Sequence, residues 1–349
     1  MSAAVAAATA RKVAVLYHYP CVDGVFGALS AWMWARAMAA KGDAVDVKWV
    51  PQRTYKPPVA VADHPDVFTP TTTSYLIDYV GSRQLLLDLA ARTKKVVLID
   101  HHKTAQEIVD ELRAEDALPA NVDVHIDMEM SGATLARHTF AAMLALPSAQ
   151  HLLPPAFDGD KNAFDEVFSL VEDRDLFRHA LPNSKAFNSG ISDRELEFDV
   201  NQNSDIFDQL LKVVADVSEL VARGRALLDE RDRKVQTELA TSFPISIPDH
   251  HTFLAVLTTA PELRSDVGNA LAKKSKKEGL EKMGAVVYVE EAMGEQARTH
   301  YKVSMRSIED ADGSVVSKAF GGGGHAKASS FVIEKTTFDS WRSSSSSGG

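Results

Sequence analysis

The stretch VVLIDHHKT, residues 96–104, places a carboxylate and two adjacent imidazoles directly after four consecutive apolar residues. An unbroken apolar run of this length predicts a strand that is buried on both faces, as the strands of a parallel sheet are. Asp100, His101 and His102 are therefore expected at the carboxyl end of a buried strand. Their role depends on which other side chains the fold brings to the same place.

The composition is typical of a globular protein. The chain has 349 residues, of which 45% are hydrophobic and 25% are charged. This length allows one large domain or two ordinary ones, and we expect two. The formal net charge of -10 leaves no general basic surface, which argues against a partner such as long duplex nucleic acid. Any nucleic-acid ligand is expected to be short.

The single cysteine, Cys21, permits no disulfide within the chain, as expected for a reducing compartment. No apolar run approaches the roughly 20 residues that a membrane-spanning helix needs, so we expect a soluble protein with no membrane partner. The cytoplasm is the expected location. The opening MSAAVAAATARK is rich in alanine and free of acids, so a short organelle-targeting segment is the alternative to a frayed terminus.

Strands and helices alternate along the first half of the chain. Residues 12–17, 75–77 and 96–99 are apolar runs that predict strands, and residues 25–40 and 81–91 predict helices. This alternation is typical of a parallel sheet with helices on both faces. The sequence therefore predicts an α/β fold whose first domain has a Rossmann-like parallel sheet.

A second α/β domain, smaller than the first, is expected after a helical connection. Apolar residues keep helical spacing from 206 to 239, and strand-like segments follow Pro244 and Pro248. The terminal run SSSSSGG has low complexity and predicts disorder. The predicted organisation is a flexible N-terminus over 1–11, a first domain over 12–200, one long connecting helix over 201–243, a second domain over 244–336 and a disordered tail over 337–349.

Acidic residues follow each of the first three predicted strands of the sheet. Asp23 comes after the turn that follows the first strand, Asp78 ends the second and Asp100 ends the third. Open parallel sheets bind ligands at the carboxyl ends of their strands, so we expect these acids to converge. Crowded carboxylates repel one another unless cations neutralise them, and Asp with His suits divalent transition metals. Asp173 and Asp175 in VEDRDLF add a further acidic candidate.

Six motifs together resemble those of a known family. In the first domain they are YHYPCVDG (17–24), LID (76–78), IDHH (99–102) and EDRD (172–175), and in the second VSMRS (303–307) and FGGGGHAKASS (320–330). This order resembles the DHH phosphoesterase superfamily, in which a DHH domain is followed by a DHHA1 domain, and the resemblance spans nearly the whole chain. It implies a phosphoesterase with one or two Mn²⁺ or Mg²⁺ ions in the DHH domain and a DHHA1 domain that grips the substrate.

The resemblance implies roles for individual residues of the DHH domain. The implied metal ligands are His18, Asp23, Asp78, His101 and Asp173, with Asp78 bridging two ions and Asp175 ranked below Asp173. His102 is expected to face the scissile phosphate as a catalytic residue, with Asp100 orienting the neighbouring imidazoles. Asn188 is by default a turn former, and it becomes a pocket residue if its segment folds over the metals.

The first motif departs from the usual family pattern at Cys21, where many members carry an acid. It resembles a variant branch with the pattern H-x-x-C-x-D-G, which matches residues 18–24. A thiolate is a soft ligand that suits a borderline metal such as Mn²⁺ or Zn²⁺. The sequence leaves open whether Cys21 binds a metal or only packs, and whether this branch retains activity.

The run of four glycines at 321–324 predicts an anion site in the second domain. Glycine lets backbone N–H groups approach an anion closely and adopts the positive φ that such a nest needs. Arginine adds bidentate capture of phosphate. By the resemblance, this region holds the non-scissile end of a nucleotide. The residues expected to bind it are Arg306, Ser307, Gly322, Gly323, Gly324 and His325, with Lys327 as a further donor.

Three classes of function remain open. The glycine-rich second domain favours a hydrolase of short nucleotides, oligoribonucleotides or related phosphodiesters that uses a metal-activated hydroxide. An inorganic pyrophosphatase or polyphosphatase would share the metal domain, but that branch carries a different C-terminal domain. A catalytically weak nucleotide-binding regulator is the third class, because Cys21 replaces an acid. A dinucleotide, a cyclic dinucleotide and a 3′-phosphorylated nucleotide are not ranked, and a homodimer is left open.

Overall fold

The computed structural model describes residues 10–146, 152–154, 157, 159–248 and 252–344, and the chain divides into two compact units, Met1–Leu227 and Leu228–Gly349. The flexible N-terminus predicted over 1–11 lies outside the described residues, except for its last two positions. The second of these, Arg11, already begins a strand. Each unit is described by itself below.

The first unit contains the parallel sheet that the alternating pattern predicts. Its strands are β1 Arg11–His18, β2 Val45–Gln52, β3 Thr73–Ile77, β4 Lys95–Asp100 and β5 Val122–Ile126. They pair in the order β2-β1-β3-β4-β5, and every pairing is parallel. The apolar residues 96–99 of β4 are all buried, which confirms that helices cover both faces of this strand.

Helices surround this sheet and connect its strands. They are α1 Val22–Ala40, α2 Arg83–Arg92, α3 Lys103–Ala114, α4 Gly132–Met143, α5 Lys161–Asp175, α6 Ser184–Asp193 and α7 Ile206–Ala215. Side-chain caps fix where several of them begin, because Ser82 accepts from the N–H of Leu85 and Ser131 from that of Thr134. The predicted α/β class, with a Rossmann-like parallel sheet, is confirmed.

The prediction of one connecting helix over 201–243 is wrong. Two helices occupy this range, α7 and α8 Val217–Ala240, with Asp216 between them. Asp216 has φ −101° and ψ 21°, outside the helical range, so the helical spacing of apolar residues continues across a break in the backbone. The boundary between the two units falls inside α8.

The second unit contains a mixed sheet of six strands. These are β6 Phe243–Ser246, β7 Thr252–Leu257, β8 Met283–Tyr288, β9 His300–Ser307, β10 Gly323–His325 and β11 Ala328–Glu334. Their order is β10-β11-β9-β8-β7-β6, and only β7 and β8 pair in parallel. The helices of this unit are α9 Arg264–Lys277, α10 Gly313–Ala319 and α11 Lys335–Ser344.

The predicted disordered tail over 337–349 begins too early. Residues up to Ser344 belong to α11, and the side chains of Phe338 and Trp341 are buried in the core of the second unit. These two aromatic residues are three apart, so they lie on one face of the helix and anchor it to the sheet. Residues 345–349 lie outside the described residues.

Among the described residues, no helix combines the length and the apolar character that a membrane span requires.

Candidate metal centre and substrate residues

The predicted site residues of the first unit lie where the strand order of the sheet reverses. The chain passes from β1 through α1 to β2 on one side of β1, and then returns to β3 on the other side. His18 is the last residue of β1, Asp78 directly follows β3, and Asp23 lies in the first turn of α1. Ligands of open α/β sheets bind at this kind of switch point.

Asp78 occupies the centre of the site. Its Oδ1 lies 3.2 Å from Nε2 of His101, and its Oδ2 lies 3.2 Å from Nδ1 of His18. The backbone φ of Asp78 is 54°, a left-handed value that is uncommon outside glycine, and its N–H donates to the carbonyl of Ile99. The two carboxylate oxygens therefore face two different imidazoles, as the predicted bridging role requires.

Asp23 is buried beside Asp78. Its Oδ1 accepts a hydrogen bond from the N–H of Ala133 at 3.0 Å, but among the described residues its buried Oδ2 has no hydrogen-bond partner. A Cβ on Gly132 would lie 2.6 Å from Cβ of Asp78 and 2.9 Å from Oδ2 of Asp23. Glycine at 132 thus lets the start of α4 approach both acids. An orphaned buried carboxylate oxygen is the kind of atom that a cation satisfies.

The charges at this site are crowded. Burial and then the charges of Asp78 and Asp175 raise the pKa of Asp23 well above its ordinary value. Burial and the charge of Asp78 likewise raise the pKa of Asp175. Burial lowers the pKa of His101, but its hydrogen bond to Asp78 and the nearby acids outweigh this and raise it to about 9. A divalent cation would remove the repulsion among these carboxylates.

Three groups of side chains have ligand atoms close enough to hold an ion. They are His18, Cys21 and Asp78; Asp78, His101 and His102; and Asp23, His101 and Asp175. Within each group the ligand atoms all lie within 4.8 Å of one another. Carboxylates and imidazoles together suit transition metals, so the residues fit a metal centre. Asp78 belongs to two of the groups. Its Oδ1 faces His101 of one group, and its Oδ2 faces His18 of the other.

Cys21 lies within the first of these groups. Burial, followed by the charges of Asp78 and Asp23, raises the pKa of its thiol. A bound metal would have to displace this proton, since the thiolate is the ligand form of cysteine. The position of Cys21 is therefore compatible with a role as a metal ligand in place of the usual acid, which the sequence leaves open.

The structure brings Asp175, rather than Asp173, to the candidate metal ligands. Oδ2 of Asp175 lies 3.3 Å from Nε2 of His101. Asp173 is buried elsewhere, and its Oδ1 accepts hydrogen bonds from the N–H groups of Ala180 at 2.8 Å and Leu181 at 3.3 Å. Of these two acids, only Asp175 belongs to a group of described side chains placed to hold a metal, so we expect Asp175 rather than Asp173 as the ligand. Asp173 fastens the loop that follows α5.

Asp100 and His102 are joined by a hydrogen bond between their side chains. Oδ1 of Asp100 accepts from Nδ1 of His102 at 2.8 Å and from the backbone N–H groups of His101 and His102 at 2.7 and 2.9 Å. The hydrogen bond that His102 donates to Asp100, although opposed by burial, raises the pKa of His102. The His102 side chain is 47% exposed, so part of the ring is open to a substrate.

Two cavities flank the metal-binding residues. One is lined in part by Cys21, Arg174, Phe177 and Asn188, which places Asn188 in the pocket that the sequence offered as its alternative role. The other is lined in part by Lys56, Ser82, His102 and Thr104. Arg174, Phe177 and Lys56 were not among the residues predicted from the sequence. The first two belong to the motif EDRDLF, and their alternation with the acids was the available signal.

In the second unit, Arg306 is held in a fixed position on β9. Its guanidinium donates to Oγ of Ser265 at 2.9 Å and to the carbonyl of Met305 at 2.8 Å. Ser307 instead donates to the carbonyl of Ala326 at 2.6 Å, which ties β9 to the segment before β11. Lys327, predicted as a phosphate donor, bonds the carbonyls of Glu309 and Ala311.

Packing accounts for most of the glycine run. Gly321 has φ 72° and ends α10, and the N–H groups of Gly321 and Gly322 donate to carbonyls of that helix. A Cβ on Gly322 would lie 2.1 Å from the carbonyl oxygen of Ser330, and Gly324 has φ 126°. Only Gly323 has ordinary backbone angles and open space around its Cβ position. The nest expected from all four glycines therefore has fewer free N–H groups than predicted, while His325 is exposed.

Comparisons with known proteins give distant likenesses. No family model matches the chain. An uncharacterized protein of Acanthamoeba polyphaga mimivirus is 21% identical over 320 residues, which make up 91% of this chain and 67% of that protein. A solved pGpG-specific phosphodiesterase, PggH from Vibrio cholerae, is 12% identical with a TM-score of 0.42, and the match covers 96% of this chain and 97% of that one. The solved DHH domain of a member of a ribosomal protein family is 13% identical with a TM-score of 0.42, over 96% of this chain and 86% of its own. At these values, neither superposition bears on what this chain acts on.

Proposed function

We propose that this protein is a metal-dependent phosphoesterase of the DHH type that hydrolyses short nucleotides, oligoribonucleotides or related phosphodiesters. The observation that carries the proposal is the position of Asp78, whose two carboxylate oxygens face His101 and His18. A carboxylate shared in this way between two sets of ligands is what a pair of neighbouring divalent ions needs. The motif resemblance at residues 17–24, 76–78 and 99–102 supports the same function.

The ligands proposed for the two ions follow from the side-chain groups. One ion would be held by Asp23, His101 and Asp175, and the other by His18 and Cys21, with Asp78 shared. Mn²⁺ is the proposed metal, with Mg²⁺ as the alternative, because imidazole ligands favour the transition metal. Two divalent ions bound at such a site lower the pKa of water towards neutrality and stabilise charge on phosphoryl oxygens.

The protein's own acid-base group in the proposed reaction is His102. Because the Asp100 carboxylate accepts from Nδ1, the proton on that nitrogen is fixed and Nε2 is the ring nitrogen left for a substrate. A protonated His102 can donate from Nε2 to a phosphoryl oxygen or to the leaving oxygen. Asp100 is a positioning residue, since it sets the orientation and tautomer of the imidazole.

The proposed substrate class depends on the second unit. Arg306 presents a fixed guanidinium that suits a phosphate group, and no atom lies within 4 Å of the Cβ position of Gly323. A nucleotide or short oligonucleotide provides a phosphate remote from the scissile one, as these residues would require. Inorganic pyrophosphate would leave this part of the protein without a role.

One assay separates the proposed function from its alternatives. Metal-free protein is supplied with Mn²⁺ and incubated with a dinucleotide, a cyclic dinucleotide, a 3′-phosphorylated nucleotide and pyrophosphate, and the products are resolved. We expect hydrolysis of at least one nucleotide, complete loss of turnover after chelation, and restoration by Mn²⁺. Cleavage of pyrophosphate alone would identify a pyrophosphatase instead. Tight nucleotide binding with no turnover of any substrate would identify a regulatory protein.

A further inference from the structure

The cavity between α5, α6 and the start of α1 contains features that metal binding does not explain. Its wall includes Cys21, Asp23 and Asp175, so it is continuous with the metal-binding residues. The rest of its wall is apolar except for Arg174 and Asn188. A ligand in this cavity therefore meets both the candidate metal centre and an apolar surface.

Phe177 is the most unusual residue of this wall. Its side chain is 74% exposed, whereas most large apolar side chains of the first unit are buried. Its backbone φ is 52°, in the left-handed region that a bulky residue rarely adopts. Strained backbone of this kind persists where the surrounding structure enforces it, and it is frequent at ligand sites.

The loop that carries Phe177 is fastened on both sides of the ring. The carbonyl of Asp173 accepts from the N–H of Arg178 at 3.0 Å, and its carboxylate accepts from that of Ala180 at 2.8 Å. The Arg178 guanidinium in turn donates to the carbonyl of Glu129 at 2.5 Å. The ring is thus exposed on a fixed loop. This gives Asp173 a structural purpose two residues away from the metal-binding Asp175.

Arg174 covers one face of the Phe177 ring, with its Cζ 5.3 Å from the ring centroid. A guanidinium stacked on one face orients the ring. The ring of His179 lies perpendicular to that of Phe177 with the centroids 6.1 Å apart, and the 74% exposure of Phe177 leaves ring surface for a planar ligand. Asn188 lies in the same cavity wall, and its amide offers both a donor and an acceptor. An aromatic face, an adjacent guanidinium and an amide together match the chemistry of a nucleobase.

We propose that this cavity binds a nucleobase next to the scissile phosphate, with the base stacked on Phe177. The proposal rests on the proposed phosphoesterase function and narrows it, because it requires a substrate with a base at the reacting phosphate. Every base has a π-face, so stacking alone predicts a preference for nucleotides over base-free phosphates with little discrimination among bases. Asn188 is the residue that would add discrimination through the edge of the base.

The test compares matched substrates on the full-length protein loaded with Mn²⁺. A dinucleotide is assayed beside the two versions in which one nucleotide or the other is abasic. We expect one abasic version to react with a kcat/KM about 5- to 150-fold lower, which corresponds to the roughly 1–3 kcal/mol of base–aromatic stacking. Phe177→Ala should lower the kcat/KM for the full dinucleotide to the value for that abasic version. The kcat/KM for the abasic version itself should not change. Phe177→Trp should retain the preference.

Tyr55→Ala is the matched control, because Tyr55 is a fully exposed aromatic residue that lines neither cavity beside the metal-binding residues. It should leave all three rates unchanged. An equal effect of Phe177→Ala on the full and abasic substrates, or an unchanged preference in that variant, would overturn the base site while leaving the phosphoesterase function intact.

A binding measurement keeps the two proposals separable. Calorimetry should show that a nucleoside monophosphate binds more tightly than ribose 5-phosphate. The ratio of the two Kd values should fall to one in Phe177→Ala. If no substrate is hydrolysed but this ratio is observed, the phosphoesterase function fails and the base site stands. If the ratio is one in the unaltered protein, the base site fails whatever the activity.

Discussion

Asp100 and His102 form a pair in which a buried carboxylate holds a half-exposed imidazole, with Oδ1 of Asp100 2.8 Å from Nδ1 of His102. The same oxygen accepts the backbone N–H groups of both histidines of the motif, at 2.7 and 2.9 Å. The carboxylate therefore fixes the first turn of the loop and the tautomer of the ring at once. Substitution of Asp100 by asparagine removes the charge of this side chain while keeping its shape.

Asp100→Asn is expected to lower kcat by about 10- to 100-fold, as loss of such a partner does at other metal sites. The hydrogen bond that His102 donates to Asp100 raises the pKa of His102. Activity that needs protonated His102 is present at low pH and is lost as the pH rises through this raised value. Removing the charge lowers the pKa, so the alkaline limb of the kcat/KM profile should move to lower pH. A profile that stays in place while only the Tm falls would show that Asp100 has a structural role alone.

Asp173 and Asp175 should give opposite phenotypes. Asp175→Asn removes a ligand and also relieves repulsion, since the charge of Asp78 helps to raise the pKa of Asp175. We expect this variant to bind less Mn²⁺ while the metal-free protein keeps or gains stability. Asp173→Ala leaves the N–H groups of Ala180 and Leu181 without their acceptor, at a cost of about 1–3 kcal/mol in unfolding free energy.

Metal content by mass spectrometry and the Tm in the presence of chelator separate these two outcomes. Reduced Mn²⁺ content in Asp173→Ala, together with an unchanged Tm, would restore Asp173 as the ligand.

The sequence predicts which residues follow the strand ends at the candidate metal centre, because strand ends are simple to place. A buried apolar run such as 96–99 fixes the position of the acids and imidazoles that follow it, and parallel strands bring these ends together. Asp78, His101 and Asp100 are found where this reasoning puts them. Only short-range geometry is needed to reach this result.

The choice between Asp173 and Asp175 could not be made in the same way. Both residues lie in the last turn of α5, and two positions along a helix differ by about 200° in direction. Which one faces the sheet depends on how α5 packs, which is a long-range property. The prediction that all four glycines form an anion site failed for a similar reason. The closeness of β11 to Gly322 cannot be seen from the sequence.

Asp78→Asn tests the shared carboxylate. Asparagine tolerates the φ of 54° better than alanine does, so this change removes the charge with little added backbone strain. Activity should fall by several orders of magnitude, and Mn²⁺ stoichiometry should fall with it because the carboxylate belongs to both proposed ions. Circular dichroism should remain that of the folded protein. Normal metal content with ordinary kcat would place the metal centre elsewhere.

Cys21 is expected to bind metal as a thiolate. Its sulfur lies in one group with His18 and Asp78, although burial raises the pKa of the thiol. Titration with Cd²⁺ should therefore produce the ultraviolet absorption of a sulfur–metal bond and release a proton. Cys21→Ser should lose this absorption, and Cys21→Asp should shift the metal preference towards Mg²⁺, which favours oxygen ligands. Unchanged spectra on adding Cd²⁺ would leave Cys21 as a packing residue.

Arg306 tests whether the second unit binds a phosphate group of the substrate. The guanidinium of Arg306 is half-buried and is oriented by Ser265 and by the carbonyl of Met305. If it holds a phosphate remote from the scissile one, its binding energy positions the reacting group. Arg306→Ala should then lower kcat/KM for a dinucleotide by roughly one to two decades, since a charged hydrogen bond contributes about 1.5–3 kcal/mol.

Hydrolysis of a small artificial phosphoester and Mn²⁺ content should be nearly unchanged in Arg306→Ala, because such an ester has no remote phosphate for Arg306 to bind. Arg298→Ala, which removes an exposed arginine from the same unit, serves as the control and should leave both activities intact. His325→Ala extends the test to the exposed imidazole that follows the glycine run. An equal loss on both substrates in Arg306→Ala would mean that Arg306 supports the fold of the second unit. Arg306 would then have no role in binding a remote phosphate. The argument that the second unit favours nucleotides over pyrophosphate as substrates would also fail.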